Sequence, residues 1–211
     1  MIPPYVGLLV DALWTTLTLG AISALGAAIW GAIIFSGSNS RSPLLKKIAG
    51  GYVQIFRNIP VLLPVYLVYF GFPMLGIYWS AAICGCLALI LQQGAYVSEI
   101  LRGGAKSIDK NMYEAARTIG LSRWKTFRLI TIPLVVANSL PALGNQTVLL
   151  VKDTSLFSAI SVLDLMAQSK LLVESAGTVY MPFIVAGVLY LIVASMIDIA
   201  FRLIARTVRW R

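Results

Sequence analysis

Long apolar runs separated by short charged stretches make up most of this chain. A helix that spans a membrane needs about 20 consecutive, mostly apolar residues, and five runs meet that length. They extend over about 13–35, 52–72, 79–101, 127–151 and 179–204. The pattern predicts an all-α integral membrane protein that has five transmembrane helices and forms a single domain over residues 1–211.

Three of these runs depart from a uniform apolar helix. Pro60 and Pro64 interrupt the second run, and Pro141 and Gly144 interrupt the fourth. Backbone broken at membrane depth is tolerated only beside protein or a wet cavity, so both spans are predicted either to be kinked within a packed bundle or to line a pathway. Polar groups at similar depth in the two spans favour the pathway. The first run is instead rich in small residues, which predicts close helix packing: Gly20, Ala24, Gly26, Ala27, Ala28 and Gly31.

The composition excludes an ordinary soluble domain. Hydrophobic residues make up 59% of the chain and charged residues 12%, whereas about a quarter of the residues of soluble domains are charged. The chain contains no histidine, which removes the usual general base and the commonest metal ligand. No metal or other cofactor is therefore expected.

The basic residues lie in alternate connections. The connections 36–47 and 102–128 and the tail from 202 hold 14 of the 17 Lys and Arg residues, whereas 73–78 and 152–178 hold two. Positive residues stay in the cytoplasm, so the N-terminus is predicted outside and the C-terminus inside a bacterial inner membrane. This topology explains the basic excess, so membrane lipid is an expected partner and nucleic acid is not. Residues 1–10 lack the basic start of a signal peptide and are expected to form an extracytoplasmic tail or a short surface helix.

The longest basic connection, 102–128, carries a spaced pattern, E-A-A-x3-G-x9-I-x-x-P. Its members are Glu114, Ala115, Ala116, Gly120, Ile130 and Pro133. Asp109 or Asn111 can cap a first helix, and Gly120 allows the positive φ that ends it. Ser122 can cap a second helix. A compact helix–turn–helix with small residues on one face is predicted to receive a partner, although most charged loops are solvated connections.

No ATP site accompanies this loop. The phosphate-binding pattern G-x-x-x-x-G-K-[ST] is absent, and the nearest imitation, the stretch 103–107, has an alanine between its glycines and its lysine. The chain is therefore predicted not to be an enzyme, and a separate subunit is expected to hydrolyse ATP.

Four stretches of the sequence together resemble one family. The runs F-R-N-I-P at 56–60, G-A-Y-V-S-E-I-L-R-G-G at 94–104 and K-D-T-S-L at 152–156, with the E-A-A loop, are similar to the polar amino-acid permeases of ABC importers, which serve histidine, arginine, glutamine and glutamate. Ile132 departs conservatively from the leucine often found in the loop pattern. The resemblance implies a type I importer fold with a cytoplasmic coupling helix.

The resemblance also implies partners. Two permease subunits, identical or homologous, enclose a path for a polar amino acid, two ABC ATPases lie below them, and an extracytoplasmic substrate-binding protein delivers the amino acid. Residues expected to dock onto the ATPase are Glu114, Ala115, Ala116, Arg117, Gly120 and Arg123. A dimer is also expected because five helices are few to enclose a hydrated path.

Polar residues within or beside the spans are candidates for the substrate path. They are Arg57, Asn58, Glu99, Gln146 and Asp164. An arginine inside a span is by default a functional hypothesis: Arg57 is expected to pair with Glu99 or Asp164, to gate, or to meet a substrate carboxylate, unless it only reaches toward lipid headgroups. Arg57, Asn58, Gln146 and Asp164 are expected to converge around the dimer axis.

The stretch 156–166 is apolar but too short to span, which predicts a re-entrant or interfacial helix. Thr154 or Ser155 can cap it, and it is expected to form an outer lid, with Asp153, Thr154, Ser155 and Leu156 as gate residues. An interfacial helix without a gating role is the alternative.

The predicted function is that of a permease subunit of an ATP-driven importer, which moves a polar amino acid from the periplasm to the cytoplasm. Two alternatives belong to other classes: an ion-coupled secondary transporter and a membrane scaffold that transports nothing. The first predicts inverted repeats and acidic residues deep in the spans, and the sequence shows neither.

Overall fold

The computed structural model describes residues 5–176 and 180–208, and it is predominantly helical over them. The helices are α1 (Tyr5–Ser38), α2 (Pro43–Asn58), α3 (Leu62–Met74), α4 (Ala81–Lys106), α5 (Lys110–Thr118), α6 (Arg123–Thr126), α7 (Ile132–Asp153), α8 (Leu165–Ala176) and α9 (Tyr180–Val208). A π-helical turn, Phe127–Thr131, joins α6 to α7, and a 3-10 helix, Thr154–Ile160, follows α7. The prediction of an all-α protein is confirmed.

Within the described residues, four helical segments are long and apolar enough to cross a membrane. They are α1, α4, the continuous segment 123–160 that contains α7, and α9. The second predicted span is a bent pair instead, because α2 and α3 meet at an angle of 105°. With its 13 residues α3 is too short to span alone, so α2 and α3 together supply the fifth crossing.

The bend between α2 and α3 follows from Pro60. Proline disfavours helical backbone at the residue before it, and Ile59 is extended, with φ −102° and ψ 147°. The helix therefore ends at Asn58. Pro64 lies in the first turn of α3, where proline is tolerated, and causes no second break. The predicted interruption is present, but it is a sharp turn and not a gentle kink.

The fourth span differs from its prediction. Pro141 lies inside α7, which continues without a break from Ile132 to Asp153. Gly144 packs closely against α9, where an added Cβ would lie 2.6 Å from the Cβ of Phe201. The expectation of two broken spans is therefore wrong for this one, and its irregularity lies in the π-helical turn at its start.

The centre of the bundle is α4, which packs against α1, α2, α3 and α7. Its apolar face meets the fully buried Phe157 and Leu150. The closest approach is to α1: a Cβ added to Gly31 would lie 2.8 Å from the carbonyl oxygen of Gly94 and 2.5 Å from Val97 Cγ1. The small residues of the first run thus allow two spanning helices to touch backbone to backbone.

The N-terminal stretch and the connection after α7 both differ from their predictions. α1 begins by Tyr5 and runs unbroken to Ser38, so residues 5–10 extend the first span and are not a tail or a separate surface helix; residues 1–4 lie outside the described residues. The segment after α7 contains two short helices in place of one. Neither Thr154 nor Ser155 caps the first, because Thr154 Oγ1 donates to the carbonyl oxygen of Val151 at 2.7 Å.

Candidate functional site

Polar side chains lie on two faces of α4. The candidate residues accordingly form two separate groups. On the face toward α2 lie Gln92, Tyr96 and Glu99, which contact the end of the broken span. On the face toward α7 lies Gln93. We call the first group the break cluster and the second, formed by Gln93, Gln146 and Asp153, the inner network.

The break cluster satisfies the carbonyl groups that α2 leaves free at its end. Gln92 Nε2 donates to the carbonyl oxygens of Phe56 at 3.1 Å and Ile59 at 2.8 Å. Tyr96 Oη donates to the carbonyl oxygen of Arg57 at 3.1 Å. The last carbonyls of a helix have no partner within it, so α4 supplies the partners that water cannot supply in a membrane. The position of the bend is thereby fixed.

Arg57 pairs with Glu99, one of its two predicted partners. Arg57 Nη1 lies 3.3 Å from Glu99 Oε2, and its guanidinium lies 5.6 Å from the centre of the Tyr96 ring. Arg102 Nε binds the other carboxylate oxygen at 2.7 Å. One carboxylate thus serves two arginines. The side chains border an open cavity of about 560 Å³, whose polar lining includes Lys46, Gln54, Arg57, Asn58, Glu99 and Arg102.

The inner network places three hydrogen-bonding side chains inside apolar helices. Gln146 Nε2 donates to Gln93 Oε1, and Gln93 Nε2 donates to Asp153 Oδ2 at 2.7 Å. Gln93 is buried, Asp153 is half-buried, and the neighbouring Lys152 is exposed. Successive residues of a helix point in different directions, so the Asp153 carboxylate belongs to the network while the Lys152 ammonium group lies outside it. The two opposite charges can attract the two ends of a zwitterion.

Asp164 is separate from both groups. It is fully buried, and its Oδ1 accepts from the amide of Ala167 at 2.8 Å, which makes it the N-cap of α8. The neighbouring amide, that of Leu165, donates to Thr16 Oγ1 at 3.0 Å. Asp164 lies in the connection between spanning segments, and burial raises its pKa to about 6. Its position indicates a structural role at the junction of α1 and α8.

The expected convergence of Arg57, Asn58, Gln146 and Asp164 is therefore not found within this chain. Along α4, Gln93 and Glu99 are six positions apart, or about 9 Å of helix. The segment before Asp164 meets α4 at its opposite end, where Phe157 packs on Gly85. The candidates occupy different levels of one helix because their partner helices cross it at different points.

The connection 102–128 has the predicted local structure. Asp109 Oδ1 accepts from the amide of Asn111 at 3.0 Å and caps α5. Gly120 has φ +75°, and Ser122 Oγ accepts from the amide of Lys125 at 3.4 Å to cap α6. The helix–turn–helix prediction is confirmed, whereas contact with an ATPase remains a prediction.

One residue of this loop, expected on the docking surface, is buried instead. Ala116 is buried, so it packs within the chain, whereas Glu114, Ala115, Arg117, Gly120 and Arg123 are exposed. The structure adds two apolar side chains to the outer surface: Ile119 is 74% exposed and Trp124 is 67% exposed. Apolar residues beside a turn glycine in a basic loop were a signal that sequence reasoning missed.

Sequence reasoning also missed Gln92 and Gln93. Two adjacent amides in the middle of an apolar run are costly in lipid unless both find partners, and this was the available signal. Among the described residues, no group of three or more His, Cys, Asp or Glu side chains is placed to hold a metal ion.

This chain is similar in sequence to membrane components of bacterial transport systems. The model of the family described as "Binding-protein-dependent transport system inner membrane component" matches residues 27–210. A nopaline transport system permease protein of Agrobacterium fabrum is 34% identical over 200 residues, which cover 90% of this chain and 83% of that protein. The glutamine transport system permease protein of Escherichia coli is 28% identical over 208 residues, which cover 98% of this chain and 95% of that protein.

Solved structures agree in fold. The crystal structure of an amino acid ABC transporter with histidines contains a chain with a TM-score of 0.90 and 28% identity, and the match covers 96% of this chain and 95% of that one. An inward-facing methionine ABC transporter gives a TM-score of 0.80 at 20% identity, with full coverage of both chains. The second likeness concerns the fold alone.

Proposed function

Since this chain belongs to the family of binding-protein-dependent transport system inner membrane components, we propose that it is the permease subunit of an ABC importer that moves a polar amino acid into the cytoplasm. The observation that carries this proposal is the inner network of Gln93, Gln146 and Asp153, hydrogen-bonding groups held inside apolar spans. The names of the relatives, which include transporters of glutamine and nopaline, support the substrate class.

The amino acid meets this chain at the inner network. Lys152 is exposed beside Asp153 at the end of α7, so a substrate carboxylate and a substrate ammonium group each have an opposite charge within two adjacent residues. Charges interact strongly where water is scarce. Asp153 also begins the gate, which continues through Thr154, Ser155 and Leu156 at the start of the 3-10 helix.

From the inner network the route continues to the cavity beside the break cluster. That cavity is open and polar, and Arg57, Asn58 and Glu99 border it. Its excess of basic over acidic groups draws the carboxylate end of a substrate toward the cytoplasm. The bend between α2 and α3 is the element that can widen or close this passage, because discontinuous helices in transporters border their pathways.

ATP hydrolysis belongs to a separate ATPase in this proposal. The loop 102–128 docks on it through the exposed tip around Gly120, with Ile119 and Trp124 as apolar contacts and Glu114 and Ala115 beside them. A second permease subunit completes the path, and an extracytoplasmic binding protein supplies the amino acid. The basic connections lie in the cytoplasm, so the N-terminus is outside and the C-terminus inside.

The test uses the complex of this chain with its ATPase, second permease and binding protein in liposomes. Uptake of a panel of radiolabelled polar amino acids is measured with ATP inside. Asp153→Asn and Gln146→Leu are expected to lower uptake at least tenfold while the complex stays assembled. Gln168→Leu, the same change on α8 away from the network, is the matched control.

Three results would contradict the proposal. Uptake at the parental rate by both network variants places the substrate route elsewhere. Uptake that resists vanadate and follows an ion gradient makes the protein an ion-coupled carrier, and no ATP-dependent uptake of any amino acid in the panel favours a scaffold.

A further inference from the structure

A second cavity lies between α1, α4 and the start of α7, next to the loop 102–128. It has a volume of about 610 Å³, and its walls are mainly apolar, with Phe35, Leu101 and Val136 among them. Most of its residues belong to the ends of three spanning segments, where the membrane interior gives way to the headgroup region, and Tyr113 comes from α5.

This apolar cavity continues into a smaller, basic one. The smaller cavity has a volume of about 210 Å³ and is lined by Arg117 and Arg123. Tyr113, Phe127 and Thr131 line both cavities, so the two share one wall. The two adjoining cavities, together called the groove, thus place an apolar chamber next to two guanidinium groups.

The two arginines lack an acidic partner among the described residues, whose ion pairs involve Arg57, Arg102 and Arg202 only. Guanidinium groups bind phosphate oxygens with paired hydrogen bonds. Basic pockets at the cytoplasmic ends of spanning helices are typical sites for anionic lipid headgroups. An apolar chamber next to such a basic pocket matches an acyl chain joined to a phosphate.

We propose that this groove binds one anionic phospholipid, with its phosphate between Arg117 and Arg123 and an acyl chain in the chamber beside Phe35, Phe127 and Val136. The lipid then fixes α5 and α6 against the ends of α1 and α7, since Tyr113 of α5 lines the chamber. Arg117 and Arg123, expected from the sequence to contact the ATPase, are thereby assigned to the lipid, and the composition of the inner leaflet acts on the loop whose tip is proposed to contact the ATPase. The inference rests on the proposed cytoplasmic position of that loop.

The probe is phosphatidylglycerol, with phosphatidylcholine as the zwitterionic comparison. The purified complex in mild detergent is titrated with each lipid, and native mass spectrometry counts the molecules retained on this subunit. Phosphatidylglycerol should be retained in preference to phosphatidylcholine. Each basic residue near an anionic lipid surface strengthens lipid binding by a similar factor. The loss of two such residues, in Arg117→Ala with Arg123→Ala, should therefore weaken retention about 30-fold.

Matched variants separate the site from general charge and from folding. Lys110→Ala with Lys125→Ala removes the same charge from the same loop, but neither residue lines the groove, and retention should be unchanged. Ala32→Phe and Val136→Phe fill the chamber from two exposed positions. Each should displace the lipid while the complex elutes as the parental species.

The proposal is overturned if the paired lysine variant weakens retention as much as the paired arginine variant, since the lipid then follows net charge. It is also overturned if both phenylalanine variants keep the lipid, or if phosphatidylcholine is retained equally well. In those cases an ATPase segment or a second copy is the better occupant. Because lipid retention is measured without transport, its result does not depend on whether uptake is lost in the earlier test.

Discussion

Replacing Gln92 with leucine removes the side-chain donor that holds the end of α2. The parental amide bonds two carbonyl oxygens, those of Phe56 and Ile59, and is 1% exposed. Leucine fills a similar volume but donates nothing. The substitution therefore isolates the hydrogen bonds from the packing.

The expected cost follows from the groups left unpaired. A buried carbonyl that loses its partner costs about 1–3 kcal/mol, and Gln92 serves two. Its own Oε1 has no partner among the described residues, so removing that atom returns a comparable amount for one group. Hydrogen bonds between spanning helices average below 1 kcal/mol where they have been measured. The net loss should be about 1–3 kcal/mol, or roughly 2–10 °C in the unfolding temperature.

The assay is thermal unfolding of the complex in detergent, together with amino acid uptake per ATP hydrolysed in liposomes. Because the break borders the proposed exit, Gln92→Leu should lower uptake per ATP as well as stability. Gln168→Leu is the control for the chemical change, since the side-chain amide of Gln168 makes no hydrogen bond within the described residues and its backbone N–H, which donates to the carbonyl oxygen of Asp164, is kept. An unfolding temperature equal to the parental one would refute the reasoning, because α2 would then be held by packing alone.

Three further substitutions test separate features. Gly120→Val places a β-branched residue at φ +75°, which costs roughly 1 kcal/mol or more of stability. It should uncouple ATP hydrolysis from uptake while the protein stays in the membrane. Normal substrate-stimulated uptake by this variant would contradict docking of the loop. Gly31→Ala puts a methyl group 2.5 Å from Val97 Cγ1, so unfolding in detergent should show a loss of about 1–3 kcal/mol, and parental stability would contradict the close contact. Asp164→Asn keeps the cap of α8 and removes a carboxyl whose pKa is raised by burial to about 6. Because the pKa is higher in the folded state than in the unfolded state, the carboxyl stabilises the parental protein below about pH 4, and this stabilisation is lost as the pH rises through 6. The variant should lack this decline in unfolding free energy, and an identical dependence of stability on pH would contradict the burial argument.

The features predicted correctly from the sequence depend on neighbours along the chain. Apolar run length gave the helices, Pro60 gave the end of α2, and Gly120 gave the turn of the loop. Each of these effects acts within a few residues, through backbone sterics or a capping bond. The same local logic failed at Pro141, because packing against α9 holds α7 straight enough to continue through it.

The features that the sequence did not predict depend on which helix lies opposite. Gln92 and Gln93 are adjacent, yet one bonds α2 and the other bonds α7. Pro60 predicts that α2 ends, but the angle of 105° at which α3 continues, in contact with α4, is encoded in no local pattern. Asp164 was expected beside Arg57 because two broken spans and the outer lid were expected to converge, but the level at which each connection meets α4 decides their separation.

The contact between Gly31 and Gly94 restricts how the bundle can move. Helices slide past one another by reorienting a layer of side chains between them, and here the two backbones meet with no such layer. We therefore expect α1 and α4 to travel as one rigid body. We expect alternating access to arise instead where contacts can be exchanged, at the hydrogen-bonded end of α2, so that the first and third crossings form the frame against which the second one moves.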